Sequence, residues 1–270
     1  MKTTHRRAHG VTPELNRDYT GRTAGHQAAF LLPYLKPGMG LLDAGCGPGT
    51  ISLGLAQAVK PGRVTGLDHD PQHVAMARTL AAERGAANVA FELGDALALP
   101  FEDASFEAAF ENDLLTHLAN QAGQAVREIY RVLKPGGLFA ARDVDAGAAM
   151  WGQASEATRQ LDRWMIAWQA GRGSDIKLGR RLPALLREAG FVDTRKSVSA
   201  DTKGDLESVR QHAEITLALL DGPFGRTILE HGWADEAALE DLKSSIQEWA
   251  QHPDAFFANV HLEVIGWKPG

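Results

Sequence analysis

Leu41-Leu-Asp-Ala-Gly-Cys-Gly-Pro-Gly-Thr50 decides how the rest of the chain is read. An apolar run closes on an acidic residue, passes through alternating glycines, and meets a segment patterned as a helix from Thr50 onward. That is a strand turning into a helix. Glycines at such a turn allow backbone angles closed to other residues and let a ligand approach the main chain. The spacing argues against a dinucleotide. A pyrophosphate loop reads G-x-G-x-x-G, whereas Gly45, Gly47 and Gly49 alternate and Pro48 stiffens the turn. Asp43 brings a carboxylate to the crevice, which suits a ligand carrying an ammonium group better than one carrying a pyrophosphate.

Outward from this loop, short β-rich runs alternate with helical patterns, the mark of a parallel sheet with crossover helices. Strands are expected at Gly40–Ala44, Arg63–Asp68, Val89–Leu93, Phe106–Phe110 and Leu138–Arg142, with later ones at Val192–Ser199 and Phe256–Trp267. Helices are expected at Thr23–Leu35, Thr50–Val59, Pro71–Arg84, Ala119–Leu133 and Leu178–Ala189, and a helical block at Asp205–Gln251. The predicted fold class is α/β: one doubly wound, mostly parallel sheet over residues 1–270. A helical cap spans 1–36, and helical insertions at 146–178 and 201–254 are placed to fold over the crevice as a lid. Ligands of such sheets bind at the carboxyl ends of the strands.

Two further acidic residues close neighbouring strands. Asp68 ends the second about 20 positions past the loop, where a carboxylate accepts hydrogen bonds from ribose hydroxyls. Asp95, in Gly94-Asp95-Ala96, ends the third, where it can meet an adenine amino group. These acids, the loop, Gly94-Asp-Ala-Leu-Ala-Leu-Pro-Phe101 and Arg131-Val-Leu-Lys-Pro-Gly-Gly137 together resemble class I S-adenosylmethionine-dependent methyltransferases. The resemblance covers residues 20–142 and is nearest the small-molecule branch of ubiquinone and menaquinone biosynthesis. It implies seven strands, the last antiparallel. S-adenosylmethionine would be the cofactor and S-adenosylhomocysteine its product. The glycine loop would touch the methionine moiety, Asp68 the ribose and Asp95 the adenine, with Asp43, Gly45, Cys46, Gly47, Thr50, His69 and Ala96 counted among the cofactor-binding residues. Cys46 is read as a small packing residue rather than a nucleophile.

Methyl transfer needs an aligned acceptor, excluded water and, where a proton must leave, a base. Phe110-Glu-Asn-Asp-Leu-Leu-Thr-His117 follows the fourth strand. His117 is the candidate base because imidazole titrates near neutrality. Asn112 is expected to line the cavity, and the backbone near Glu111 to meet the cofactor's amino group. In Tyr19-Thr-Gly-Arg-Thr23, Arg22 is placed to pair with the cofactor carboxylate, and Tyr19 to cover the methyl region. The late insertions are rich in aromatic residues. Trp151 and Trp168 are candidate walls of a pocket for an apolar or aromatic acceptor, and 171–175 is a candidate hinge. Asp143-x-Asp145 stands near where catechol-type methyltransferases hold magnesium, but their Asp-Asn pair is missing, so no metal is expected.

Composition agrees with this reading. The chain has 270 residues, 44% hydrophobic and 23% charged, one cysteine and a formal charge of −6. The single cysteine excludes an intramolecular disulfide. The mixed charge argues against a nucleic-acid footprint, and no run approaches the length of a membrane span. A cytoplasmic enzyme acting on a small molecule through oxygen, nitrogen or carbon is the first reading, with an oligomer left open. The alternatives are a cofactor-binding protein of the same fold that catalyses a non-methylating reaction, such as a cyclase, and a macromolecule methyltransferase.

Overall fold

The computed structural model describes residues 21–270. The chain enters through one helical turn, α1 (Ala24–Gln27), and then alternates as β1 (Leu41–Ala44), α2 (Thr50–Val59), β2 (Val64–Asp68), α3 (Pro71–Glu83) and β3 (Val89–Leu93). It continues through β4 (Phe106–Asn112), α4 (Leu114–Leu118), α5 (Ala122–Val132) and β5 (Leu133–Val144). Beyond these lie β6 (Met150–Gly152), α6 (Glu156–Gly171), α7 (Leu182–Ala189) and β7 (Val192–Lys203). The last elements are α8 (Leu206–Asp221), α9 (Pro223–Glu230), α10 (Glu236–Trp249) and β8 (Phe256–Trp267).

β1 lies at the centre of the sheet, parallel to β2 on one side and β4 on the other, with β3 outside β2 and β5 outside β4. β8 runs antiparallel to β5, and β7 pairs along its far edge. This is the expected doubly wound, mostly parallel sheet, with one addition. The sheet has eight strands rather than seven. The extra strand, β6, pairs with β8 at Met150↔Ala258 to Gly152↔Phe256, just past the end of β5. Three residues are too few to show a period in sequence.

Burial explains the elements. All four residues of β1 are buried, as a central strand covered on both faces requires. α5 buries Ala122, Ala125, Val126, Ile129 and Val132, one apolar stripe at helical spacing. α3 starts as expected: Pro71 occupies its first turn, and Asp70 accepts the Gln72 amide at 2.8 Å. The expected helix at Thr23–Leu35 is not continuous. It becomes α1 and a short 3-10 turn at Leu32–Tyr34, because Pro33 has no amide to carry an α-helix onward. β7 extends to Lys203, past the expected Ser199, because β8 pairs with it throughout.

The two insertions share one apolar core. Leu161 and Trp168 of α6 pack with Val209 and Ala213 of α8, Phe224 and Ile228 of α9, and Leu242 and Ile246 of α10. The expected helical block is three helices, broken around Gly222-Pro223 and Gly232. Trp249 Nε1 donates to the Gly152 carbonyl at 2.7 Å, joining the late helices to β6. Among the described residues, no helix is long and apolar enough to cross a membrane.

Candidate functional site

The glycine loop runs between the ends of β1 and β2. The Gly45 and Cys46 amides donate to the Leu67 carbonyl at 2.8 and 3.1 Å, and the Gly47 amide donates to Asp68 Oδ2 at 2.8 Å. Two glycines are required for different reasons. At Gly49 (φ +83°), a Cβ would stand 2.7 Å from Phe91 Cζ and 2.8 Å from Ala77 Cβ, so this glycine lets α2 close onto the sheet. At Gly47 (φ +51°), a Cβ would meet nothing within 4 Å. That side of the loop is open, a cradle next to the Asp68 carboxylate.

Asp68 is 6% exposed. Burial works against its charge, but hydrogen bonds from His69, His73 and the Asp70 and Gly47 amides outweigh it and hold the carboxyl well below its usual range. It is an acceptor at neutral pH. His69 Nδ1 lies 3.4 Å from Asp68 Oδ1 and His73 Nδ1 lies 3.6 Å away. The carboxylate raises both imidazoles. Sequence reasoning missed His73, which lies in the first turn of α3, just after Asp68 and His69. Asp95 is exposed, and its Oδ1 accepts the Leu97 amide at 2.9 Å. Ala96 is buried beneath it.

Asp43 differs from the other two acids. It is 2% exposed and Oδ2 accepts from Ser52 Oγ in α2 at 2.5 Å. Its carboxylate is therefore turned toward α2 and braces the loop, rather than standing open to an ammonium group. Burial pushes its carboxyl up to about 7, against the Ser52 hydrogen bond. Cys46 packs with Val74, Ala77 and Phe91, and burial, then the charges of Asp43 and Asp68, push its thiol upward. Thr50 opens α2.

The second half of the site follows β4. A Cβ on Gly45 would lie 3.0 Å from Leu114 Cβ, so the loop and α4 touch. α4 begins at Asp113, whose φ of +57° turns its side chain away from the usual capping position. Carboxyls from two strands cap the helix instead: Glu111 Oε2 accepts the Leu114 amide at 3.0 Å, and Asp143 Oδ1 accepts the Thr116 amide at 2.9 Å. Glu111 Oε1 also accepts the Arg142 amide at 3.1 Å. Glu111 and Asp143 are both fully buried. Burial, reinforced by Asp143, drives Glu111 well upward, and burial together with Asp113 takes Asp143 to about 7. The pair therefore retains a proton at neutral pH. His117, half-buried, ends this short helix.

Arg142 lies below, with no exposed surface. It donates to Asn112 Oδ1 at 2.9 Å, Ser199 Oγ at 3.1 Å and Asp201 Oδ1 at 2.7 Å, and Glu263 Oε1 is 3.7 Å away. His261 Nε2 stands 3.4 Å from Asp113 and 3.8 Å from Asp201. Arg22 reaches Asp113 at 3.1 Å and His26 reaches Asp201 at 2.8 Å, so the entering chain is tied to the same cluster. Burial opposes ionisation of Asp113, but His261, Arg22 and Arg142 hold it well below the carboxylate range. Apart from Arg22 and Asn112, sequence reasoning found none of this cluster. Its members come from four strands and the entering segment, with no local pattern between them.

Other candidates are committed elsewhere. Asp145 is held by Arg180 through two hydrogen bonds of 2.6 and 2.7 Å, and Arg181 pairs with Asp175. Trp168 is 9% exposed and packs on Phe224 with ring centroids 5.0 Å apart, inside the core of the late helices. Trp151 is half-buried among Trp249, Phe257 and His212, and its Nε1 donates to Asp162 at 2.9 Å. Tyr19 lies outside the described residues. Among the described residues, no group of histidine, cysteine and carboxylate side chains is arranged to hold a metal ion.

Comparison with known proteins places this geometry. The family described as "Methyltransferase domain" matches residues 35–190. A protein of Aspergillus luteorubrus, "Probable methyltransferase ltbC", is 31% identical over 92% of this chain and 92% of its own length. A demethylmenaquinone methyltransferase of Symbiobacterium thermophilum is 29% identical over 63% of this chain and 74% of its own. The solved structure of the [4+2]-cyclase SpnF is 26% identical, with a TM-score of 0.57, over 96% of this chain and 94% of that one. The chain belongs to the methyltransferase domain family, and it is an enzyme of the class I, S-adenosylmethionine-dependent type that its motifs resemble.

Proposed function

We propose that this enzyme methylates a small apolar or aromatic acceptor with S-adenosylmethionine held across the ends of β1 to β4. The observation that carries the reading is the open face of Gly47 next to an Asp68 carboxylate kept ionised by its neighbours. An ionised carboxylate accepts hydrogen bonds from the hydroxyls of a ribose, and a glycine without a Cβ leaves room for the ligand against the main chain. When bound, S-adenosylmethionine supplies an electrophilic methyl group. The chain's own work is then placement: Asp68 and His69 hold the ribose, Asp95 the adenine edge and the loop amides the methionine end. Asn112 and the half-buried His117 face the acceptor side, His117 as the base that takes its proton. Arg22 closes the entering segment through Asp113.

A small acceptor fits the lid, whose helices form their own core above the sheet, and the acidic overall charge is unlike a nucleic-acid surface. The likeness to ltbC and, at 29% identity, to the O-methyltransferase resE of Aspergillus sclerotiorum supports a place in secondary metabolism. The lone buried cysteine suits a cytoplasmic setting.

Titration with S-adenosylhomocysteine tests the cofactor assignment, and transfer of a labelled methyl group to a panel of phenols, quinols and amines tests the acceptor. Absence of binding would sink the reading. A second reading, a non-methylating reaction on the same fold, draws on the likeness to the [4+2]-cyclase. Binding without transfer to any member of the panel would favour it.

A further inference from the structure

The first insertion is rooted beside α4, and one residue joins them. Thr116 is 2% exposed. Its amide donates to Asp143 Oδ1, its Oγ1 donates to the Asp175 carbonyl at 2.6 Å, and its own carbonyl accepts the Asp175 amide at 2.8 Å. All of these bonds leave the short helix for other parts of the fold. Asp175 belongs to the return of the insertion, the stretch whose glycines suggest a hinge.

That return is fastened to the outgoing strand. The Ala146 amide donates to the Ile176 carbonyl at 2.8 Å, and Arg180 grips Asp145 just beyond β5. The insertion therefore leaves and re-enters the sheet through a single clasp, which Thr116 bonds to α4. Within the clasp, Ser174 Oγ is buried without a hydrogen-bond partner. Folded proteins rarely tolerate such a group unless another arrangement or a bound molecule satisfies it. α4 in turn carries Leu114, which touches the glycine loop, and His117.

We propose that Thr116 is a positioning residue that couples the root of the lid to α4, so that the seating of the lid sets where His117 stands. The proposal rests on the reading of His117 as an acceptor-side residue. Asp143 and Glu111 form the fixed half of this clamp, capping α4 from the sheet. Asp175 forms the half that belongs to the lid.

Thr116→Val removes the hydroxyl while keeping the shape. It also leaves the Asp175 carbonyl a partner in the Leu178 amide, at 3.0 Å, so the variant is expected to fold. Thr116→Ser keeps the hydroxyl. Hydrogen exchange of the ligand-free proteins reads the coupling. In Thr116→Val, amides of 114–118 and of 172–178 should exchange together, about tenfold faster, while those of 239–249 in the lid core stay unchanged. Thr116→Ser should restore the wild-type pattern. In histidine-labelled protein saturated with S-adenosylhomocysteine, the His117 ring resonance should move in the valine variant and return in the serine variant. Faster exchange in one segment alone, no change in either, or a serine variant that behaves like valine would overturn the coupling. An unmoved His117 resonance would overturn its link to the site. Failure of the wild type to bind S-adenosylhomocysteine is a separate result. It would overturn the cofactor reading and the role of His117, and the exchange data would still decide whether Thr116 couples the two segments.

Discussion

The two halves of this sheet are built differently. Around β1, β2 and β3, the site is made from backbone turns, with acidic residues placed at strand ends by short local motifs. Around β4, β5, β7 and β8, it is made from side chains that meet across strands, with a guanidinium that has no exposed surface at the centre. The parts of the first half lie within one β-α-β-α-β run, β1 to β3, and are placed by local motifs. The second half depends on the whole sheet being assembled. Damage to the first should therefore cost ligand binding, and damage to the second should cost the fold.

The largest effect is expected from Arg142→Met. Removing the guanidinium leaves Glu263 buried and Asp201 half-buried without that partner, and Asn112 Oδ1 without its donor, a loss of about 3–5 kcal/mol. Urea denaturation at pH 7 measures it. The acid response sharpens the test. Asp113 and Asp201 are held low in the folded state, after burial is overcome, by charges that include Arg142. Their stabilising contribution is full above the unfolded carboxylate range and is lost as pH falls through the folded values. The variant should lose less stability than wild type on acidification. An equal loss would remove Arg142 from the cluster's energetics.

Asp68→Ala should weaken S-adenosylhomocysteine by about 100-fold, the equivalent of two charge-assisted hydrogen bonds, and should also lower stability, because the Gly47 and Asp70 amides lose their acceptor. Calorimetry reads it, and unchanged affinity would refute the ribose assignment.

The loop glycines divide the first half further. Gly49→Ala drives a methyl group into Phe91 and Ala77 and is expected to cost about 2–3 kcal/mol of stability. Gly47→Ala meets open space, so only its left-handed backbone costs stability, about 1–2 kcal/mol, while affinity should fall about tenfold or more as the methyl group enters the cradle. If both variants lost stability alike and bound alike, the open face would not be the binding face.

A last effect concerns pH. Burial raises both Glu111 and its neighbour Asp143, the latter to about 7, so the folded pair holds a proton more tightly than the unfolded chain. Stability from this group is present below the unfolded carboxylate range and is lost as pH rises toward 7, by at most about 1.4 kcal/mol per pH unit. Asp43 acts in the same direction. Asp143→Asn should therefore flatten, without abolishing, the decline in stability between about pH 4 and 7. Thermal melts across that range check it, and an unchanged slope would mean that Asp143 does not hold the proton.

Much of the first half is legible in the sequence itself. The loop, Asp68 and the Asp70-Pro71 start of α3 announce themselves within a few residues, because turn chemistry and capping are local. His73 escapes that reading, although the start of α3 at Pro71 places it in the first turn beside Asp68. The late helices, α6 and α8 to α10, are legible only as helical composition. Trp168 reads the same in sequence whether it lines a pocket or a core, and the shared packing of α6 with α8, α9 and α10 gives it to the core.

Sequence alone determined the sheet, its crossover helices, the glycine turn and the family, because hydrophobic period and backbone strain are written residue by residue. Tertiary structure alone decided which charges meet. Arg142, Asp201, His261 and Glu263 are brought together by strand register, and Thr116 and Asp175 by the return of an insertion 59 residues later. Asp43 illustrates the difference. Its position in the loop is plain from the sequence, but only packing against Ser52 shows that its carboxylate braces the protein instead of facing the ligand.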